Sequence, residues 1–426
     1  MITLAELVNA VPLLIIAIAA IITLLITTFF KKSTDVVFAV TIISLFAAIF
    51  FYFGDLEKDA LIFTESLRIN MVSIMFSVIA LTAVFISVLS AKSYIEKEEI
   101  NFGEYYSLSL FATLGMLVMI HSANLIVLFI GLELMSICFF VLTGFLRKRV
   151  KSNEGALKYF LLGAFMTGFL LFGISLIYGT AGTLDFIKML QNQSLVKQPL
   201  FLIGAALFSI GFFFKMGIFP FHMWVPDVYE GAPTSVTGLM STAGKIAAVG
   251  TLAPFIINTN ITSLKVIFSV LAVLTMLFGN VIALSQINIK RLLAFSSIAS
   301  AGYILVGITA MNEFSVKGVA FYLFAYTFMQ LGAFILVSVI EKPSDGSNDY
   351  KGVNLDDYKG LASKNPSLAV LLTIFLFSLG GIPPFAGFWG KYYLFYAAIK
   401  SELIWLSVIA IMLSVISIYY YLKIIV

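Results

Sequence analysis

The sequence predicts an all-α polytopic membrane protein of about 13 transmembrane helices, with two inverted five-helix repeats that each contain a broken helix. Three observations carry this expectation: an apolar composition, apolar runs of membrane length along the whole chain, and a proline string that recurs 164 residues apart. Of the 426 residues, 61% are hydrophobic and 11% charged, whereas about a quarter of a soluble domain is charged.

The apolar runs are each long enough to cross a hydrocarbon core of roughly 30 Å at helical rise. They cover 9–31, 35–54, 70–92, 104–121, 123–146, 155–179, 198–226, 233–258, 264–286, 290–311, 315–340, 366–399 and 402–424. The spaces between them are too short for a soluble domain. The first run has no basic stretch before it and no small-residue cleavage site after it, so it reads as a mature helix. A single cysteine, Cys138, excludes an intrachain disulfide and a cysteine-ligated cluster. The net charge of +4 reflects basic residues gathered in short loops, as membrane topology predicts, and no nucleic-acid function follows from it.

With the N-terminus outside, the inner loops carry fifteen Lys and Arg: Lys31, Lys32, Lys92, Lys97, Arg147, Lys148, Arg149, Lys151, Lys290, Arg291, Lys342, Lys351, Lys359, Lys364 and Lys423. The outer loops carry seven: Lys58, Arg68, Lys188, Lys197, Lys265, Lys317 and Lys400. The excess of inner cations fixes this orientation by the positive-inside rule. The longest polar connection, Glu341 to Pro366, falls on the inner side as a solvated loop, open to a neighbouring subunit.

Lys158, Lys215, Lys245 and Lys391 remain inside apolar runs, and Glu133 is the one mid-membrane acid. A charge near the bilayer centre costs roughly 2.5–3.5 kcal/mol on insertion scales, so such residues face a cavity or a partner. Lys158 lies about one turn inside its helix and is the one best placed to snorkel. The other three lysines stagger with depth: Lys215 in the inner half of its run, Lys245 near the middle and Lys391 in the outer half. That stagger predicts a proton relay, in which a carboxylate raises and burial lowers the basicity of a lysine. His222 lies toward the inner mouth, where it is either a proton donor to the path or a hydrogen-bonded structural residue.

Gly217-Ile218-Phe219-Pro220-Phe221 follows Lys215, and Gly381-Ile382-Pro383-Pro384-Phe385 precedes Lys391. A mid-helix proline frees the carbonyl four residues back, here Met216 and Gly380. Broken helices at matching places in two halves mark inverted repeats, expected over 104–258 and 264–424 after an N-terminal three-helix segment, 1–103. The alternative is that the prolines only kink helices for packing.

The run Phe214-Lys215-Met216-Gly217-Ile218-Phe219-Pro220-Phe221-His222-Met223-Trp224-Val225-Pro226-Asp227-Val228-Tyr229-Glu230-Gly231-Ala232-Pro233-Thr234 resembles the proton-conducting membrane subunits shared by complex I and multisubunit cation/proton antiporters. Its Pro-Asp-Val-Tyr-Glu-Gly-Ala-Pro wording is most similar to the subunit N branch, the counterpart of mitochondrial subunit 2. The stretches from Leu157 to Ala164, Lys290 to Ala299 and Ala386 to Lys391 are similar in order and spacing. The resemblance implies Glu133 and Lys215 as a coupled pair, Lys245 as the central lysine and Lys391 as the terminal lysine of an outer half-channel. It further implies a multi-pass protein of the bacterial cytoplasmic (inner) membrane, working beside other membrane and peripheral subunits of complex I. NADH, FMN, iron–sulfur clusters and quinone are implied in those partners, with no cofactor in this chain.

Two departures from the family pattern stand out. Ser300 occupies a position where many relatives carry histidine. A serine holds no charge, so transfer from Lys245 to Lys391 is expected to use water with Ser296 or Ser297. Relatives also carry one more helix than the runs ending near Val426 provide. The rival function is a subunit of a cation/proton antiporter or of a membrane-bound hydrogenase. The absence of a second mid-membrane acid argues against a sodium site, which needs several oxygen ligands.

Overall fold

A computed structural model describes residues 3–30, 33–100, 102–192, 194–195, 198–259, 262–343 and 350–426. Lys31, Lys32 and Lys197 of the loop tally, and part of the polar connection after Glu341, lie outside the described residues.

The chain is a bundle of helices, the arrangement that satisfies backbone donors and acceptors internally where no water is at hand. The first part comprises α1 (Leu4–Asn9), α2 (Val11–Phe29), α3 (Thr34–Gly54) and α4 (Met71–Lys97). A short antiparallel hairpin, β1 (Ala60–Ile62) and β2 (Leu67–Ile69), joins α3 to α4. Asn70 stops the hairpin and starts α4, its side chain accepting the Ser73 N–H at 2.9 Å. Next come α5 (Glu104–His121), α6 (Leu125–Thr143), α7 (Val150–Ala181), α8 (Phe186–Gln191), α9 (Pro199–Met216) and α10 (Trp224–Gly231). The α5 and α6 backbones approach closely at Gly115 and Gly131, where an added Cβ would meet main-chain atoms at 2.6 and 2.7 Å.

One long helical unit follows: α11 (Thr234–Leu239), a π turn over Met240–Gly244, and α12 (Lys245–Thr259). Then come α13 (Thr262–Ala283), α14 (Ile289–Thr309) and α15 (Glu313–Ile340). A two-stranded pair, β3 (Lys342–Pro343) and β4 (Tyr350–Lys351), precedes a 3₁₀ turn at Leu355–Tyr358 and α16 (Leu361–Lys364). The chain closes with α17 (Pro366–Gly380), α18 (Ala386–Lys400) and α19 (Ile404–Ile425). The most hydrophobic part of α14 is wholly buried, whereas α2, α3, α7 and α19 keep most of their surface on the outside. α14 is thus the axis around which the polar groups collect.

Among the described residues, eleven helical units are long and apolar enough to cross a membrane. The expected thirteen are not all of that kind. α5 covers the 104–121 run, but Glu104, Tyr105, Tyr106, Ser107, Ser109 and His121 dilute its apolarity. The 366–399 run divides into α17 and α18, each of 15 residues. A second correction concerns two residues assigned to loops. Lys290 and Glu341 are each 1% exposed, because α10 and α11 cover the ends of α14 and α15 where they sit. With Lys290 moved out of the tally, inner cations still exceed outer ones, fourteen to seven.

Candidate functional site

The two proline strings make the same local structure. α9 ends at Gly217 and α17 at Gly381, both left-handed, with φ of 75° and 81°. In each, the glycine N–H bonds back to the last turn, and the following isoleucine N–H bonds to the carbonyl five residues earlier: Ile218 to Phe213 and Ile382 to Phe377, at 2.9 and 3.1 Å. This is the αL-capped helix end, placed inside a continuous apolar run. Phe219-Pro220 and Pro383-Pro384 are cis peptides. Side-chain donors also reach a carbonyl at each break. Trp224 Nε1 donates to Phe214 O at 2.9 Å, and Lys391 Nζ donates to Gly380 O at 3.0 Å. Gly380 is one of the two carbonyls expected from the proline positions.

Lys215, on the last turn of α9, is 8% exposed, and its Nζ has no hydrogen-bond partner among the described residues. It lies in an aromatic box, 5.1 Å from the Phe140 ring, 5.1 Å from Tyr159 and 5.6 Å from Phe214. Ring faces attract an ammonium, which holds the charge without fixing its proton. Glu133, on α6, makes no ion pair with it; Glu133 Oε1 accepts the Thr167 hydroxyl of α7 at 2.9 Å.

Lys158 is different in kind. Its Nζ pairs with Glu154 and Asp227, both at 2.7 Å, and its side chain is 42% exposed. Arg291 NH1 reaches Asp227 at 2.7 Å and Glu230 at 2.9 Å, and Lys151 reaches Glu230 at 3.0 Å. These contacts form a clamp between α7, α10 and α14. Burial pushes the Asp227 carboxyl up, but the hydrogen bonds from Lys158 and Arg291 outweigh it and hold it below its ordinary value. Glu230 behaves alike, through Arg291 and Lys151. His222 sits in the first break, buried, stacked on Phe219 at 5.5 Å, with Nδ1 unpartnered among the described residues.

Lys245 begins α12 immediately after the π turn and is 2% exposed. Its Nζ donates to Ser297 O and to Ser297 Oγ of α14, both at 2.6 Å. Tyr326 of α15 donates to the same Ser297 Oγ at 2.9 Å, and Tyr322 stacks one turn away, ring centroids 6.1 Å apart. Tyr322 in turn interacts with Ser300. Lys391, 6% exposed, lies 4.8 Å from the Tyr303 ring. Asn280 links Tyr303 to Tyr420 through two hydrogen bonds of 3.2 Å, and Ser296 bonds Tyr421. Between the two lysines the structure therefore places neutral hydroxyls.

Sequence reasoning missed these tyrosines, together with Asn280 and Gln330. Tyr322, Tyr326 and Gln330 recur every four residues on α15, a polar stripe at helical spacing that a hydropathy average hides. It missed His121 too, which is buried on α5 and bonded to Tyr52 OH at 2.8 Å and Ser77 Oγ at 3.0 Å. Among the described residues, no group of three or more His, Cys, Asp or Glu is placed to hold a metal ion.

The profile of the family described as NADH:quinone oxidoreductase/Mrp antiporter, TM, matches residues 122–417. NADH-quinone oxidoreductase subunit N of Trichlorobacter lovleyi is 45% identical over 373 residues, which cover 85% of this chain and 75% of that protein. Subunit N of Salinibacter ruber is 43% identical over 85% of this chain and 73% of its own length. A chain of respiratory complex I from Thermus thermophilus superposes with a TM-score of 0.83 at 31% identity, covering 97% of this chain and 88% of its own. A chain of the Mrp complex from Dietzia sp. shares the fold, with a TM-score of 0.86 at 20% identity over 99% of this chain and 80% of its own. By sequence along most of its length and by fold, the chain belongs to the NADH:quinone oxidoreductase/Mrp antiporter family of membrane proteins, among its subunit N members.

Proposed function

We propose that this chain carries protons across the membrane as a subunit of an NADH:quinone oxidoreductase, through Glu133, Lys215, Lys245 and Lys391. The observation that carries the reading is the set of three buried lysines, each at a helix break or π turn and none in an ion pair among the described residues. A lysine without a carboxylate partner gives up its proton far more readily than a paired one, because nothing compensates the lost solvation of its charge. Lys158 stands apart as a member of the inner clamp, and His222 as a donor near the first break.

Lys215 exchanges its proton according to how near the Glu133 carboxylate lies. Lys245 passes protons on through Ser297 and Tyr326, and the hydroxyls around Tyr303 and Ser300 hold the water that reaches Lys391. Hydroxyls donate and accept without storing charge, which suits a chain with serine in place of histidine at position 300. The Lys/Arg asymmetry supports an N-terminus on the outside, and on this reading the chain lies in the bacterial inner membrane with protons driven outward. One proton crossing 100 mV represents about 2.3 kcal/mol, so redox chemistry in partner subunits that hold FMN, iron–sulfur clusters and quinone supplies the drive.

The test is NADH-driven proton pumping together with NADH:quinone turnover, in vesicles carrying the assembled complex with Lys215→Ala or Lys391→Ala. Pumping lost with assembly intact is the expected result. Unchanged pumping and turnover in both variants would mean that these charges are structural.

A further inference from the structure

A cavity of about 500 Å³ opens at the end of the bundle where α14 begins, lined by Arg149, Lys151, Glu230, Lys290, Arg291 and Glu341. At roughly 30 Å³ per molecule such a space holds over a dozen waters. Its charges are organised at the walls. Glu341, buried, pairs with Arg149 at 3.3 Å and accepts the Thr234 hydroxyl. Lys290 Nζ, also buried, donates to Ala232 O at 2.8 Å. Glu98 borders the same cluster: one carboxylate oxygen accepts the Tyr350 hydroxyl, and the other is buried without a partner among the described residues. Burial pushes the Glu98 carboxyl up to about 6, so it exchanges protons near neutral pH.

Inward of this cavity α14 and α15 pack directly against each other. Leu293 is three residues beyond Lys290, and Ser297 four further on, so the carbonyl of Leu293 lies ~4.5 Å above Lys290 and ~6 Å below Ser297 along the helix axis. Gln330 is anchored at that level, its Nε2 donating to Leu293 O at 3.3 Å. The side chain is fully buried, and its Oε1 has no partner among the described residues. A buried amide oxygen left unpaired is unfavourable, and a water beside Leu293 would satisfy it. One turn along α15, Tyr326 bonds the Ser297 hydroxyl that Lys245 Nζ also touches.

We infer that the α14–α15 seam is a proton inlet from this cavity directly to Lys245, with the Gln330 amide positioning the water that carries the proton past Leu293. The inlet is separate from the route through Glu133 and Lys215, and it rests on the reading of Lys245 as a relay group. The proton moves as an excess charge along hydrogen-bonded water, hydronium in the cavity giving it up and neutral Lys245 taking it, with no other bond made or broken. Gln330 touches the water and not the reacting amine, so it is a positioning residue.

Gln330→Cys in a Cys138→Ser background, in the assembled complex, is treated with the small charged reagent 2-sulfonatoethyl methanethiosulfonate in inside-out and right-side-out vesicles in parallel. The mass of this chain reads the modification. The inlet predicts modification from one orientation only, the one that presents the start of α14, and loss of pumping with it. No modification from either orientation overturns the inlet, even where Lys245→Ala abolishes pumping. Unchanged pumping in Lys245→Ala overturns the relay at that residue and the inlet with it. As a second variant, Gln330→Leu, which can neither hold Leu293 O nor orient a water, is expected to lower pumping about fivefold. Pumping unchanged in Gln330→Leu overturns the proposal.

Discussion

At the first helix break the lysine comes before the left-handed glycine, and at the second it comes after. The backbones of Gly217 and Gly381 are alike, yet their lysines occupy opposite situations. Lys391 reaches back over its break to Gly380 O, and its side chain lies against the glycine itself. Lys215 lies among three aromatic rings with no carbonyl partner among the described residues, while Trp224 shares the Phe214 carbonyl with the Gly217 N–H. The same turn serves two ends. At α17 it supplies an acceptor that holds the lysine, and at α9 it ends the helix so that the lysine stands free beside Glu133. A lysine held by a carbonyl has a fixed address, whereas one held by ring faces answers to a change in the position of a carboxylate.

The strongest test of this contrast is alanine at each glycine. At Gly381 a Cβ would lie 3.0 Å from Lys391 Cδ and 3.2 Å from its Nζ, so Gly381→Ala is expected to displace the ammonium and reduce NADH-driven pumping more than tenfold. At Gly217 the Cβ would meet Val225 Cγ2 at 3.1 Å and no part of Lys215. Gly217→Ala is expected to cost roughly 1–2 kcal/mol in left-handed strain, seen as a lower melting temperature of the complex, with pumping per NADH little changed. Equal losses of pumping would remove the distinction between the two breaks.

A smaller effect is expected of Thr167→Val, which takes away the hydroxyl that holds Glu133 Oε1. A hydrogen bond to a charged group contributes about 1.5–3 kcal/mol, so pumping should change by about tenfold, whereas quinone turnover in uncoupled vesicles should not. The same substitution at Thr373, which bonds only a carbonyl of its own helix, serves as the control at the second break. The smallest effect concerns the clamp. Asp227 and Glu230 are held below their ordinary values, so their stabilising contribution is present at neutral pH and disappears as pH falls through those lowered values. Thermal unfolding of the complex should show a loss below about pH 4, and Asp227→Asn should lessen the pH dependence while lowering stability at pH 7.

The sequence made the breaks legible because glycine and proline are the residues whose backbone needs do not depend on neighbours. It made Lys215, Lys245 and Lys391 legible because no other lysine stands so far from a polar stretch. It could not separate Lys290 and Glu341 from loop charges. A charge at the end of a helix looks the same in a hydropathy window whether it meets water or the carbonyl of Ala232, and only the placement of α10 and α11 decides. Lys158 likewise read as an intramembrane charge, but of the two acids that pair with it only Glu154 is near in sequence, and Asp227 lies far off. The helix count fell short for a related reason. α5 earns its place in the bundle by burying Tyr105, Tyr106 and His121 against neighbours rather than by apolarity.

The π turn ahead of Lys245 has a consequence for the direction in which its helix looks. A π turn holds one residue more than an α turn, so the side chains before it and after it are out of phase by about 100°. Before it, the Thr234 and Ser235 side chains meet Glu341 and Tyr105; after it, Lys245 meets Ser297. A single rod thereby addresses two walls of the bundle, and deleting one residue from Met240–Gly244 would turn Lys245 away from the serine while leaving every side chain named in the relay intact.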